Sequence, residues 1–266
     1  MDLIPLLIDF FNNIDVLMLI MVRVSAFLIF LPVLSAMNIP MQARLFFAFV
    51  MSAAIYASDM VTIVTFHDSP SGFIMLILAE VITGALMGYI LFFVFNAILF
   101  AGQFIDFSMG FAMVNVMDPV QQIQVPVMGN LLSMSAFALL IAVGGLHEFV
   151  RLFFHSYELI PIGTAFVLGN APLAEFMMLT LAGFAVLAVR IALPVVGTLL
   201  IIDVCLGIMV KAVPTMNVFV VGMPLKVLIG LTLVFSVMIP GLGVIYDNVF
   251  GMALDGMASI IEGMAP

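Results

Sequence analysis

The stretch FIMLILAEVITGALMGYILFFVFNAILFA, residues 73–101, decides the class of fold. It carries a single charged side chain, Glu80, and is longer than the run of about 20 apolar residues that a transmembrane helix needs. After Glu80 come Gly84 and Gly88 in a small-xxx-small spacing, which lets two helices approach closely. The reading is a helix built for an apolar medium.

Composition extends that reading to the whole chain. Of 266 residues, 66% are hydrophobic and 8% charged, too few charges to clothe a water-facing surface. Towards the N-terminus, Leu45–Phe66 is interrupted by Asp59, and Ile14–Ala36 holds Arg23 near its middle. A central Arg costs about 2.5–3.5 kcal/mol on insertion scales, so Arg23 should face protein or water. The connection between these stretches carries Pro40 and Arg44. Towards the C-terminus, polar residues and prolines interrupt 102–127, the least lipid-like internal segment. Val127–Leu146 is apolar again, and a loop or short amphipathic helix with Glu148, Arg151, His155 and Glu158 follows. Phe176–Ile202 contains Arg190 and Pro194, where a kink or break is expected. Lys211, Pro214, Asn217, Pro224 and Lys226 break up the approach to a last apolar stretch ending near Ile239. In the tail, Asp247, Asp255 and Glu262 are spaced to share one helix face, while five glycines argue against a stiff helix. The expectation is an all-α, polytopic membrane protein of about six crossings, with broken helices and helical hairpins.

Charge and motifs exclude several functions. Six basic residues against fifteen acidic ones, a formal charge of -9, leave no surface for a run of phosphates, so nucleic acid is not a partner. The first twenty-two residues contain Asp2, Asp9 and Asp15 but no Lys or Arg, so no cleavable signal peptide is expected. Cys205 is the one cysteine. His147-Glu148 begins like a zinc-binding HExxH helix, but Arg151 stands where the second His is needed, and no metal or other cofactor is expected. No phosphate loop or nucleophile elbow occurs. The chain reads as a non-enzyme.

Ionisable residues remain within the apolar segments: Arg23, Glu80, Arg190, Asp203, Lys211 and Lys226. They could form an ion or proton relay, or pair with each other or with a partner subunit to fix helix register. Met109, Met113 and Met117 recur every fourth residue, with Gly110 and Phe111 between the first two. A helical turn would align these methionines, either as a ring that closes around cargo of varied shape or as ordinary packing.

The ordered set of motifs resembles the flagellar biosynthetic protein FliR family over nearly the whole chain. It comprises Arg23, Pro32, Ser35, Ile39, Pro40 and Arg44, then Glu80, Gly84 and Gly88. Gly102-Gln103-Phe104-Ile105-Asp106, Met109-Gly110-Phe111 and Asp118-Pro119 follow, then Leu206-Gly207 and the run Ala212 to Lys226 with Pro214, Asn217, Phe219, Gly222 and Pro224. The resemblance implies a subunit of the type III protein export gate, assembled with FliP and FliQ membrane subunits into a pore for unfolded flagellar proteins. It implies an FlhB-type switch protein as a further partner, and the bacterial inner membrane at the flagellar basal body as the location. It implies a FliP-like part over 1–170, with a plug loop at about 106–122, and a FliQ-like hairpin and tail over 171–266. Met109, Gly110, Phe111, Met113 and Met117 would then lie in the pore. It also warns that some apolar helices pack on neighbouring subunits instead of lipid. Two competing readings are a secondary transporter with Arg23, Glu80 and Arg190 round a mid-membrane site, and a purely structural scaffold for ring assembly.

Overall fold

The computed structural model describes residues 14–31, 39–58, 70–111, 126–162, 171–213 and 217–264. Among them the secondary structure is helical, with no strand. The helices are α1 (Ile14–Phe30), α2 (Met41–Ala57), α3 (Pro70–Met109), α4 (Val127–Val143), α5 (Gly145–Leu159), α6 (Ala171–Ala212), α7 (Val218–Leu233) and α8 (Leu242–Met264). A π-helical turn, Val234–Met238, continues α7.

Four helices are long and apolar enough to cross a membrane, or five spans if the bent pair α4 and α5 counts as one. The six crossings expected from hydropathy are therefore too many among the described residues. Two reasons are visible. The apolar residues around Leu45 form α2, which ends at Ala57 and is short for a span, and the longest runs have merged. α3 does not change character at Gly102 but stays helical to Met109, and α6 passes through Pro194 unbroken to Ala212. At 1.5 Å per residue, the 39 residues Ser71–Met109 of α3 extend about 58 Å, nearly twice the hydrocarbon thickness. Beside Pro194, Thr198 donates its hydroxyl hydrogen to the Pro194 carbonyl at 2.8 Å. α8 is likewise continuous despite its glycines, because Tyr246, Val249, Ala253, Met257, Ile260 and Ile261 bury one stripe of it while Asp247, Asp255 and Glu262 stay exposed.

Several hydroxyl side chains inside apolar helices answer their own backbone. The hydroxyls of Ser52, Thr83, Ser135 and Thr232 donate to the carbonyl four residues earlier, at 2.7–2.9 Å. No water is needed to satisfy them, which is the condition lipid or a tight helix contact imposes.

The chain forms two compact units. The first comprises Met1–Phe93, Gly145–Thr180 and Met252–Pro266, the second Val94–Gly144 and Leu181–Gly251. In the first, α1 packs on α2, and buried Leu19, Ile20, Val24 and Phe27 share a core with Met87, Ile90, Phe149 and Phe153. Phe27 and Phe153 stack with centroids 4.3 Å apart. In the second, Ile98, Ala101, Ile105 and Met109 of α3 are buried, as are Leu132, Ala136 and Leu140 of α4 and Val195 and Leu199 of α6.

Between α4 and α5 the chain bends at Gly144, whose φ is 79°. Its N–H bonds the Ile141 carbonyl, and a Cβ there would meet nothing within 4 Å, so the only barrier to a side chain is the left-handed backbone. Gly144→Ala is expected to lower stability by about 1 kcal/mol and Gly144→Asn by less, read as thermal unfolding midpoints in mild detergent.

Candidate functional site

The first unit is organised around Arg23. Its position in the middle of α1 places a guanidinium where solvent cannot reach, and both Arg23 and Glu80 are fully buried. The two meet as a bidentate pair: Arg23 Nε donates to Glu80 Oε2 at 2.5 Å and Nη2 to Oε1 at 3.1 Å. The remaining Nη1 donates to the Ile160 carbonyl at 3.1 Å, just beyond the end of α5. The guanidinium carbon also lies 4.3 Å from the centre of the Tyr157 ring, whose hydroxyl donates to the Ile20 carbonyl at 3.3 Å. One side chain thus joins α1, α3 and α5.

That geometry requires α1 and α3 to touch at the backbone. A Cβ on Gly84 would fall 2.2 Å from the Arg23 carbonyl oxygen, and one on Gly88 2.7 Å from Phe30 Cβ and 2.8 Å from the Phe27 carbonyl oxygen. Only hydrogen fits at either place.

The second unit carries a comparable junction between α3 and α4. A Cβ on Gly102 would lie 2.2 Å from Gly129 Cα, so the two backbones are in contact. Four residues on, the Asp106 carboxylate accepts hydrogen bonds from Met128 N–H at 3.0 and 3.1 Å and from Gly129 N–H at 3.4 Å. α3 then ends on Gly110, at φ 90°, beside the Met223 side chain. Met109 is fully buried with its thioether against Gly230, where a Cβ would come within 2.4 Å of Met109 Cε. Asp203 of α6 and Lys226 of α7 form an ion pair in the same unit.

The residues singled out in the sequence therefore fall in different settings. Arg23 and Glu80 are buried together, whereas Arg190, Asp203 and Lys211 are exposed on this chain, so burial within the chain is corrected for those three: each lies on a largely uncovered face of α6, with Asp203 paired there to Lys226. Met109 is the last residue of α3, and the left-handed Gly110 follows it. Phe111 is half-buried, while Met113, Met117, Asp118 and Pro119 lie outside the described residues, as does Pro214. Arg44 donates from Nε to the Ile39 carbonyl at 3.2 Å, next to Pro40 at the start of α2. Asn217 precedes α7, its side-chain oxygen accepting from Val220 N–H at 3.4 Å, and Phe219, Gly222 and Pro224 are within α7. Sequence reading missed Tyr157, Gly129 and Gly230. An aromatic on the apolar face of the amphipathic α5 was a visible signal for Tyr157; the glycines gave none, since their partners lie far away in sequence.

Among the described residues no group of three His, Cys, Asp or Glu side chains is placed to hold a metal ion. What the two junctions do is mechanical: they lock helix against helix at points that cannot slide.

This helical, apolar chain belongs to the bacterial export proteins, family 1, whose family model matches residues 14–253. It is 29% identical over 250 residues to the flagellar biosynthetic protein FliR of Bacillus subtilis, covering 92% of this chain and 93% of that one. To FliR of Escherichia coli it is 28% identical over 247 residues, covering 91% of each. To the Yop proteins translocation protein T of Yersinia pestis it is 26% identical over 209 residues, covering 78% of this chain and 80% of that one. The family likeness read from the ordered motifs is correct.

Leaving one member of a fully buried ion pair without its partner typically costs about 3–5 kcal/mol. Glu80→Ala is accordingly expected to abolish accumulation of the folded chain in membranes. The paired replacement Arg23→Met with Glu80→Leu should recover most of it, short of the unpaired Ile160 carbonyl, at about 1–3 kcal/mol. Gly84→Ala should destabilise by about 1–3 kcal/mol through overpacking, whereas Gly251→Ala, in open space, should be neutral or stabilising. Membrane levels and thermal midpoints in detergent measure all four.

Proposed function

We propose that this chain is a non-enzymatic subunit of the flagellar type III protein export gate in the bacterial inner membrane, assembled with FliP- and FliQ-type subunits around a pore for unfolded proteins. The observation that carries the reading is the family match over 14–253, together with relatives named for flagellar biosynthesis and for translocation of Yop proteins. Residues 1–170 would be the FliP-like part and 171–266 the FliQ-like hairpin and tail. The segment at about 106–122 would be the plug, rooted at Met109 and presenting Gly110, Phe111, Met113 and Met117 to the pore, with an FlhB-type switch protein as a further partner.

The surface supports an assembled state. α6 exposes Leu193, Leu200, Ile201, Val204 and Ile208, and α7 exposes Val220 and Leu228, so these helices present apolar residues that water would not solvate. Lipid, partner helices, or both must cover them. The transporter reading loses support, because two of its three residues, Arg23 and Glu80, are buried and spent on one another.

Coexpression with the neighbouring membrane subunits, extraction in mild detergent and native mass spectrometry test the assembly. A discrete hetero-oligomer is expected; a lone monomer, with those subunits present in the membrane but unbound, would overturn the reading. Deleting residues 112–122 is expected to leave the assembly intact and raise ion conductance of the membrane, and unchanged conductance would remove the plug role.

A further inference from the structure

Asp106 serves two helix ends at once. Its backbone carbonyl accepts from Phe111 N–H at 3.0 Å while Gly110 N–H bonds the Phe107 carbonyl at 3.1 Å, the paired bonds of a Schellman ending with Gly110 left-handed. Its side chain meanwhile takes the N–H groups of Met128 and Gly129, in the first turn of α4. These are the orphan donors that a helix start must satisfy. The local N-cap is Pro126, at φ -69° and ψ 113°, which has the right backbone but no side-chain acceptor. The cap is therefore supplied from α3, by a residue 22 positions before the Met128 whose N–H it accepts. A local Ser or Asp would stabilise α4 equally well by itself. A cap borrowed from α3 additionally ties α4 to α3.

The tie is reinforced where it acts. Gly102 and Gly129 bring the two backbones into contact, and a Cβ on Gly129 would come within 2.9 Å of the Leu99 carbonyl oxygen, so the helices cannot slide at the point where Asp106 reaches across. The carboxylate's charge also suits the positive end of α4.

We propose that Asp106 is a positioning residue whose carboxylate, by capping α4 from α3, fixes the two ends of the connecting segment 112–125 relative to one another. This deepens the export-gate reading, since that segment contains the proposed plug, but the clamp itself is a property of α3 and α4 alone.

The test uses the chain copurified with its membrane partners, with Cys205→Ser and spin labels at Phe107 and Val127, both exposed. Three variants are compared with the labelled parent: Asp106→Ala, Asp106→Asn, and Asp106→Ala combined with Pro126→Asp. Asp106→Ala is expected to speed hydrogen exchange at Met128 and Gly129 about 5–30-fold, the loss of a helix cap, and to broaden the label distance distribution. Asp106→Asn, which keeps an acceptor oxygen, should fall between Asp106→Ala and the parent in both. The combined variant should regain exchange protection through its local cap but keep the broad distances. A narrow distribution in Asp106→Ala, or its return in the combined variant, would overturn the clamp and leave Asp106 an ordinary cap. Membrane conductance is recorded in parallel. Broad distances with raised conductance support clamp and plug together, whereas broad distances with unchanged conductance keep the clamp and sink the plug.

Discussion

The Arg23–Glu80 pair is the constraint on which the first unit depends. A guanidinium in the middle of an apolar helix is tolerable only if each of its nitrogens has a partner, and here Nε and Nη2 donate to Glu80 and Nη1 to the Ile160 carbonyl, with Tyr157 closing the face. The arrangement fixes more than charge. Because Arg side chains are long, the pair could form across a wide range of helix separations. The backbone contact at Gly84 narrows that range to one, since α3 passes directly over the Arg23 carbonyl. Packing alone is a weak guide to register among helices as uniformly apolar as α1 and α3, because a shifted helix buries nearly the same oil. A single directional, bidentate interaction distinguishes the native register from its neighbours, where greasy surfaces cannot.

The second unit solves the same problem without a buried ion pair. α3 and α4 are held by a carboxylate on backbone N–H groups and by two glycines in contact. Both solutions join a polar group to a small residue a few positions away on α3: Glu80 with Gly84, and Asp106 with Gly102. The polar group selects the register and the glycine permits the approach that lets it reach. In an apolar medium, where association gains nothing from the ordinary hydrophobic effect, close approach and hydrogen bonding are what remain to hold helices together.

The sequence revealed the helices far better than their ends. Periodicity and composition identify residues 73–101 as one apolar helix, but nothing in 102–109 says whether its polar residues terminate the helix or line a contact. Asp106 turns out to be inside the helix because its partner is Met128, and a pairing across 22 residues leaves no local trace. Pro194 reads as a break by the same local logic, yet the helix continues through it. Arg23 and Glu80 were legible as candidates, because charges in apolar runs are rare. Their mutual pairing was not, since Arg190 and Asp203 looked equivalent in sequence and lie exposed. Burial depends on which helix face a neighbour covers, and hydropathy holds no information on that.

That last limit bears on the C-terminal part of α6. From Ile201 to Val210 only Leu206 is buried, and Ile201, Val204 and Ile208 are each about two-thirds exposed. A helix that is apolar around nearly its whole circumference has no preferred face of its own, so the partner that covers it determines how it sits. Lipid would cover every side equally and leave Asp203 and Lys211 costly. Protein partners can supply matching polar groups at those two points and apolar ones elsewhere. The Asp203–Lys226 pair shows the chain already doing this for itself at one of the two positions, by neutralising the acid with a residue of α7. Lys211 lies two turns further along α6, at its exposed end, where an interfacial position would let its ammonium group reach water while its stem stays on the apolar side. The pair at Asp203 and the exposed end at Lys211 thus limit what any cover of α6 must supply, even though its apolar residues specify no defined face.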